Sequence, residues 1–226
     1  MKKSTLVLLM LFNCFYSSSQ ELKDLLIKAY SSKDSSNYYF KIAKRKIKNK
    51  DDEAQFYFCK SARFGDLNQY DSAVFYGQKA IKILENKGDL NSLMTVYSNL
   101  NNVYNNQGKY DKAIEYSLKG LKKAEKEKKD GWISFFNTQL SIDYHDYESY
   151  EKGVFFGKKA LKQFVPDSVI ESIVPSQSKN AKIYPIGKIE KEAEYYLLLT
   201  IRENKNQEVA VITFSKKNVF LGFKAE

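Results

Sequence analysis

Histidine, cysteine and proline are scarce in this sequence. Its 226 residues include one histidine, two cysteines, three prolines and ten glycines. Histidine and cysteine supply many of the bases, nucleophiles and zinc ligands of enzymes, so their scarcity disfavours such sites. The sequence also has no phosphate-binding glycine loop, dinucleotide glycine pattern, nucleophile elbow or paired-cysteine spacing. We therefore expect no catalytic residue, no cofactor and no metal, and a protein that is not an enzyme.

Arginine is scarce as well. Three of the 37 basic residues are arginine, and they stand against 27 acidic residues, which leaves a net charge of +10. Arginine is the side chain that reads guanine in a bidentate manner and stacks on bases. A lysine-rich surface with acids mixed through it is more typical of a solvated face, so we expect no nucleic-acid partner.

A long apolar run is confined to the amino terminus. Residues 1–20 contain two lysines, an apolar stretch from Leu6 to Tyr16 and a short polar run that ends at Gln20. This three-part layout is typical of a secretory signal peptide. Since a transmembrane helix needs roughly 20 apolar residues, we expect no transmembrane span and an exported protein, periplasmic or secreted.

Cys14 keeps a second location open. A bacterial lipoprotein signal places a lipidated cysteine after its apolar region, which would make this an inner- or outer-membrane lipoprotein with a lipid anchor at Cys14. Asn13 precedes it, where that pattern has a small residue. If cleavage instead follows Gln20, Cys59 is the one remaining cysteine, and we expect it to be a small buried hydrophobe.

Three segments recur with a constant 40-residue period. They are Tyr70-Asp71-Ser72-Ala73, Tyr110-Asp111-Lys112-Ala113 and Tyr150-Glu151-Lys152-Gly153, and they are followed seven residues later by Ala80, Gly120 and Ala160. The acid suits the start of a helix, and the small residues allow a neighbouring helix to approach. Such a period is the signature of a repeat protein.

A second helix precedes each of these segments. In the middle copy Tyr97, Leu100 and Tyr104 form one apolar stripe, and Gly108 ends it. Each repeat is therefore predicted to be a helical hairpin.

The chain resembles the tetratricopeptide repeat family, and specifically an exported bacterial member with 40-residue repeats. The residues at the family's signature positions are Tyr97, Leu100, Tyr104, Gly108, Tyr110, Ala113 and Gly120. Departures are Asn101 where the family prefers glycine, Gly120 and Gly153 where it prefers alanine, and a period longer than the family's own. The resemblance implies a right-handed α-solenoid that binds a protein or peptide on its concave face.

Helical periodicity fails near the three prolines, Pro166, Pro175 and Pro185. Beyond them apolar residues alternate over 195–202, 209–214 and 219–223, which predicts a small antiparallel β meander with a further strand at 182–189. A helix over 190–203 is the alternative. The predicted fold class is mainly α, with this meander as a β-rich tail.

Four parts make up the predicted domain organisation. They are a signal peptide at 1–20, a degraded first hairpin at 21–50, a repeat array at 51–174 and a linker with the β-rich tail at 175–226. The array comprises repeats at about 51–90, 91–130 and 131–166 and a capping helix at 168–174. The tail is too small to stand alone, so it docks on the repeats, pairs with another chain or begins a larger domain.

The resemblance also implies a peptide-binding groove. The family's groove positions correspond to Gln55, Phe58, Ser98, Asn102, Asn105, Thr138, Ile142 and His145. Carboxamides donate and accept hydrogen bonds, so the asparagines could pair with the main chain of an extended peptide. The alternative is that asparagine is simply abundant in this chain.

A basic run at residues 41–50 is the other candidate surface. Lys41, Lys44, Arg45 and Lys48 would share one face of a helix. This patch would attach an acidic protein or anionic lipid headgroups, or it is a solvated outer face.

These observations predict a non-enzymatic scaffold of the cell envelope that binds a protein or peptide partner through its concave face. The first alternative is an extracytoplasmic input module of a signalling system. The second is an enzyme with a site in the carboxyl-terminal sheet, which its lack of histidine and cysteine disfavours.

Overall fold

The computed structural model describes residues 20–87 and 89–162, together with the strand backbone at 181–191, 194–203, 206–215 and 220–225. The predicted signal peptide, apart from Gln20, lies outside these residues, as do Cys14 and the predicted capping helix at 168–174.

Eight helices make up most of the described residues between 20 and 162. They are α1 (Gln20–Ser31), α2 (Ser36–Arg45), α3 (Lys50–Asp66), α4 (Tyr70–Lys87), α5 (Leu90–Asn106), α6 (Tyr110–Lys126), α7 (Asp130–Asp146) and α8 (Tyr150–Leu161). Helices α4, α6 and α8 each begin at the tyrosine of a Tyr-acid pair, so their first residues follow the sequence period. The prediction of helical hairpin repeats is therefore confirmed.

The loop inside each repeat has the same geometry. Asn68, Gly108 and Glu148 adopt left-handed backbone conformations with φ of 58°, 71° and 60°. The next residue in each loop donates its N–H to the carbonyl of Phe64, Tyr104 or Tyr144, at 2.8–3.0 Å. This arrangement is the Schellman C-cap, which ends a helix.

In two repeats a side chain caps the amino terminus of the first helix. The Asn49 side chain accepts hydrogen bonds from the backbone N–H groups of Asp51 and Asp52 at the start of α3. At the start of α5 the Asp89 carboxylate accepts from the Ser92 backbone N–H. These bonds satisfy N–H groups that have no partner within the helix.

Small residues mark the positions where helices meet. A Cβ added at Gly77 would lie 2.6 Å from Leu100 Cδ2, and one added at Gly120 would lie 2.2 Å from Phe136 Cζ. Ala73 and Ala113, at the predicted small positions of the first two repeats, are fully buried. Glycine and alanine therefore permit close helix packing, as the repeat pattern indicated.

The chain divides into two compact units, at residues 1–109 and 110–226. In the first unit the largest fully buried side chains are Leu22, Phe58, Leu84, Met94 and Leu100. In the second unit they are Phe136, Leu140 and Leu161. Each unit thus buries apolar residues from several helices.

The backbone at 181–225 is assigned to strands β1 (Ala181–Lys191), β2 (Glu194–Glu203), β3 (Asn206–Ser215) and β4 (Phe220–Ala225). They are antiparallel neighbours in chain order, with Ile183 opposite Ile201 and Leu198 opposite Val211. Register shifts between Pro185 and Gly187 on β1, which is an edge strand. Proline has no N–H to donate, so an edge strand accommodates it.

The predicted fold class requires correction. The sequence predicted a mainly α class with a small β meander as part of the fold, but residues 20–162, whose packing is described, form helices and turns and contain no strand. The class that the structure supports is therefore an all-helical repeat. The handedness of the solenoid and the predicted domain division stay predictions.

Candidate functional site

Helix α5 is buried on most of its circumference. Ten of its residues are buried: Ser92, Leu93, Met94, Thr95, Val96, Tyr97, Ser98, Leu100, Asn101 and Val103. Its three exposed residues are all asparagine, namely Asn91, Asn102 and Asn106. The surface that this helix offers to a partner thus consists largely of carboxamides.

A network of polar side chains lies beside this asparagine row. Asn101 is fully buried, and its Oδ1 accepts a hydrogen bond from Asn105 Nδ2 at 3.3 Å. Asn99 Nδ2 donates to Ser61 Oγ at 2.8 Å, and Ser61 Oγ donates to the Ala73 carbonyl at 2.7 Å. The bonds of Asn99 and Ser61 link α5 to α3 and α4, which holds the helix that carries the row.

Three predicted groove residues do not line a surface. Gln55, Phe58 and Ser98 are 3%, 1% and 1% exposed, so their side chains are in the interior of the first unit. For α3 a physical reason is visible: α1 packs on it, and the Cys59 thiol donates to the Leu26 carbonyl at 3.3 Å. The preceding hairpin therefore covers part of α3 that the family pattern leaves open.

Two predicted groove residues on α5 remain accessible. Asn102 is exposed and Asn105, one turn further along, is half-buried. They belong to the same helix face, so the structure brings these two together as the sequence suggested.

The predicted groove residues of α7 belong to the second unit and are all half-buried. The Thr138 hydroxyl donates to the Ser134 carbonyl at 3.0 Å, a bond within the helix. His145 contacts the Tyr150 ring edge-on at a centroid distance of 5.0 Å, and its Nδ1 lies 3.8 Å from an Asp146 carboxylate oxygen. Ile142 lies one turn from Thr138. These contacts give His145 a packing role.

The basic patch is exposed, as predicted, but its geometry differs. Lys41, Lys44 and Arg45 lie on α2, which ends at Arg45, so Lys48 lies in the following loop and not on the same helix face. All four side chains are exposed. Lys46, between them, forms an ion pair with Glu21 at 2.6 Å.

Aromatic rings with lysines above them are a feature that the sequence analysis missed. Phe64 stacks on Tyr76 at 5.5 Å and 7°, and Tyr144 stacks on Phe156 at 5.3 Å and 4°. The two stacks stand two repeat periods apart in the sequence. Extending the repeat alignment beyond the small residues would have found them.

The lysines of this feature follow the same period. Lys79 Nζ lies 4.4 Å from the Phe75 ring centroid, and Lys159 Nζ lies 4.7 Å from that of Phe155. Both phenylalanines are about half exposed, at 52% and 53%. Cation–π contacts of this kind partly cover an apolar ring that would otherwise face water.

Lys60 is held by aromatic rings in the first unit. Its Nζ lies 4.3–5.7 Å from the ring centroids of Phe40, Phe56, Phe64 and Tyr76 and donates to the Tyr76 hydroxyl at 3.0 Å. At the equivalent positions of the later repeats stand Leu100 and Leu140, which are fully buried. A cation thus occupies a leucine position and joins α2, α3 and α4.

A cleft lies between the first turns of α3 and the last turns of α4. It encloses about 410 Å³ and is lined by Lys50, Glu53, Tyr57, Lys79, Lys82, Ile83 and Asn86. Lys50 Nζ lies 2.6 Å from Glu53 Oε2, and this hydrogen bond holds the pKa of the Glu53 carboxyl below its usual range. We call this feature the α3–α4 cleft.

Two ionisable groups of the first unit are buried, namely Cys59 and Tyr30. Burial raises the pKa of the Cys59 thiol, which makes it a weak nucleophile. Burial and a hydrogen bond to Asp66 raise the pKa of the Tyr30 phenol. Within the described residues, no group of three or more His, Cys, Asp or Glu side chains could hold a metal ion.

Helical hairpins that recur with a constant period define the class of this molecule as a helical-repeat protein. No known family model matches the chain, and neither does a curated protein sequence. Among solved structures it is similar to the apo form of RapI, with a TM-score of 0.58 and 18% identity over 71% of this chain. The match covers 46% of RapI, so the chain spans about half the length of that protein.

A second solved structure, BtubC (BKLC) from P. vanneervenii, matches with a TM-score of 0.57 and 11% identity. That match covers 78% of this chain and 84% of BtubC. At these identities both likenesses concern the fold alone, and they agree with a helical repeat. No helix in the described part of the chain has the length and apolar character needed to cross a membrane.

Proposed function

We propose that this protein is a non-enzymatic, tetratricopeptide-like scaffold that binds a polypeptide through the exposed asparagine row of α5. The observation that carries the proposal is the composition of that surface. Every exposed residue of α5 is an asparagine, although most of the helix is buried. A packed helix with an uncharged amide face suits main-chain recognition, since carboxamides pair with peptide N–H and C=O groups at once.

The geometry favours an extended peptide as the occupant. Asn102 and Asn105 are spaced by one helical turn, about 5 Å along the axis, which is close to the rise of one and a half residues of an extended chain. The Asn105 amide is oriented by Asn101. The exposed Asn102 amide can therefore pair with a peptide group next to an Asn105 side chain that is already held in place.

A pull-down with a matched control tests this surface. The wild type, an Asn102→Ala/Asn105→Ala variant and an Asn37→Ala control are used as baits, and recovered proteins are quantified by mass spectrometry. Asn37 is an exposed asparagine of α2, outside the row. The recovered partner is then produced separately, and we expect the double variant to bind it about tenfold more weakly by calorimetry, as the loss of two hydrogen bonds implies. Equal affinity of the wild type and the double variant would refute the proposal.

We also propose that the protein is exported to the cell envelope. The amino-terminal pattern of lysines, apolar residues and small polar residues supports this location. Mass spectrometry of the mature amino terminus separates the alternatives. A first residue at or just after Gln20 indicates ordinary cleavage, a diacylated Cys14 indicates a lipoprotein, and an intact Met1 would contradict export through this segment.

A further inference from the structure

The α3–α4 cleft carries more positive than negative charge. Three lysines and one glutamate line it. Lys50 and Glu53 form an ion pair at 2.6 Å and so largely neutralise each other. Lys79 and Lys82 form no ion pair with the described part of the chain, so the lining of the cleft has an excess of two positive charges.

One wall of the cleft is aromatic and rigid. The Tyr57 ring stacks on Tyr76 at 6.0 Å and 22°, and its hydroxyl donates to Glu53 at 3.2 Å. Lys79 Nζ lies 5.2 Å from the Tyr57 ring centroid, so one cation is held directly above this wall. The cleft thus offers an apolar surface and positive charge within a few ångströms of each other.

Positive charge continues from the cleft along the chain. Lys48, the last residue of the basic patch, is two residues from Lys50, which lines the cleft. The four side chains of the basic patch are exposed and form no ion pair with any described residue. A ligand with several negative charges therefore fits this region better than a single carboxylate does.

The corresponding cleft of the third repeat lacks this charge excess. It encloses about 440 Å³ and is lined by Glu125, Asp130, Ile133, Ser134, Asn137, Lys159 and Lys162. Lys159 and Lys162 stand two repeat periods after Lys79 and Lys82, but two carboxylates accompany them. Its lining residues sum to zero charge, so the positive cleft is a property of the first repeat and not of the fold.

We propose that the α3–α4 cleft and the basic patch bind an extended acidic segment of a partner protein. Carboxylates of the segment pair with Lys79 and Lys82, and an apolar side chain beside them packs on Tyr57. The proposal rests on the polypeptide-binding function given above and adds a second surface with a stated partner chemistry. A planar anionic membrane would meet the exposed lysines of the basic patch but would not fill a concave cleft, which favours the peptide.

Fluorescence anisotropy tests the proposal directly. The probe is a labelled ten-residue peptide of glutamates and aspartates with one central phenylalanine, and the control peptide carries glutamine and asparagine instead. We expect the protein to bind the acidic peptide at least about tenfold more tightly, with an affinity that falls as salt rises. A Lys79→Gln/Lys82→Gln variant should lose about tenfold in affinity, as two removed ion pairs imply.

Matched variants make the outcome specific. Lys119→Gln/Lys122→Gln removes the equivalent exposed pair of the second repeat and should leave the affinity within about twofold of the wild type. The Asn102→Ala/Asn105→Ala variant should also bind the acidic peptide normally, so failure of the asparagine-row proposal and failure of this one are distinguishable. Circular dichroism checks that each variant is folded.

Three results would overturn the proposal. The first is equal affinity for the acidic and the amide peptide. The second is an equal loss in the two lysine-pair variants, which would indicate unspecific attraction by net charge. The third is tight binding to vesicles of phosphatidylcholine with about one fifth phosphatidylserine that the acidic peptide does not compete away, which would assign the surface to lipid headgroups.

Discussion

Glu148 adopts a left-handed backbone conformation that glycine adopts more easily. Its φ is 60°, and the equivalent residue in the second repeat is Gly108 with φ of 71°. A residue with a Cβ has roughly 1–2 kcal/mol of strain there, whereas glycine has none but loses more chain entropy on folding. We expect Glu148→Gly to raise the free energy of unfolding by about 0.5–1 kcal/mol in urea titrations.

The reverse substitution is the control. Gly108→Ala places a Cβ at a left-handed position and should lower the free energy of unfolding by about 1 kcal/mol. If Glu148→Gly is instead neutral or destabilising, the left-handed turn of the third repeat is not strained.

The free energy of unfolding should depend on pH because of two buried ionisable groups, Cys59 and Tyr30. Burial raises the pKa of Cys59 from 9.0, and burial with the Asp66 hydrogen bond raises that of Tyr30 from 10.0. Both groups stay protonated in the folded protein at a pH where the unfolded chain has released the protons. The contribution of these two groups to the free energy of unfolding is thus fully present below pH 9. It is lost as pH rises through their folded-state pKa values.

Cys59→Ala isolates one of these contributions. Above pH 9 the free energy of unfolding of the wild type should fall more steeply than that of the variant, by up to about 1.4 kcal/mol per pH unit. Urea titrations at intervals between pH 8 and 10.5 measure the two slopes. Parallel slopes would show that the thiol ionises in the folded protein as it does in the unfolded chain.

At the scale of helices, α6 and α7 pack closely because Gly120 has no side chain. A Cβ at this position would lie 2.2 Å from the Phe136 ring, and Phe136 is itself fully buried. We expect Gly120→Ala to lower the free energy of unfolding by about 2–3 kcal/mol, because the ring must move within a packed core. Differential scanning calorimetry or urea titration would measure the loss.

Gly131 provides the matched control for this substitution. It lies in the first turn of α7, and a Cβ there would meet no atom within 4 Å. Gly131→Ala should therefore be neutral or stabilise the protein by up to about 1 kcal/mol through helix propensity. Similar effects of the two substitutions would contradict a packing role for Gly120.

Helices were predictable from the sequence because their signals are local. The Tyr-acid pairs mark the first residues of α4, α6 and α8, and Gly108 marks the end of a first helix. The groove was less predictable, since burial depends on which helix covers which. Phe58 is a groove position in the family pattern but is buried here, where α1 packs on α3.

The constant repeat period does not predict how the repeats differ from one another. Lys60 stands where later repeats have leucine, and aromatic rings from three helices surround it. No single helix contains enough information to predict this contact, because Phe40, Phe64 and Tyr76 come from α2, α3 and α4. The charge of the α3–α4 cleft could not be predicted from one helix either, because its lining residues come from two helices.

For the whole molecule, the constant repeat period has a consequence for deletions. In a linear array each repeat contacts its sequence neighbours, so removing one full period keeps the remaining hairpins in phase. Deleting 91–130 joins α4 to α7 through a connection equivalent to the one between α6 and α7. We expect this variant to retain the helix content per residue of the parent, by circular dichroism, and to unfold cooperatively at a lower temperature, since it has lost an inter-repeat interface.

A shorter deletion, 91–124, is the control for phase, because it removes the usual length of a tetratricopeptide repeat and not the full period of this chain. It leaves Glu125 and Lys126 of α6 and the loop after them before α7, so the connection between α4 and α7 is six residues longer than after the full-period deletion. We expect this variant to unfold at a lower temperature than the full-period deletion, because the longer connection costs more chain entropy when α7 packs on α4. If the shorter deletion folds as well as the full-period deletion, or if neither folds, the array does not behave as a series of interchangeable units.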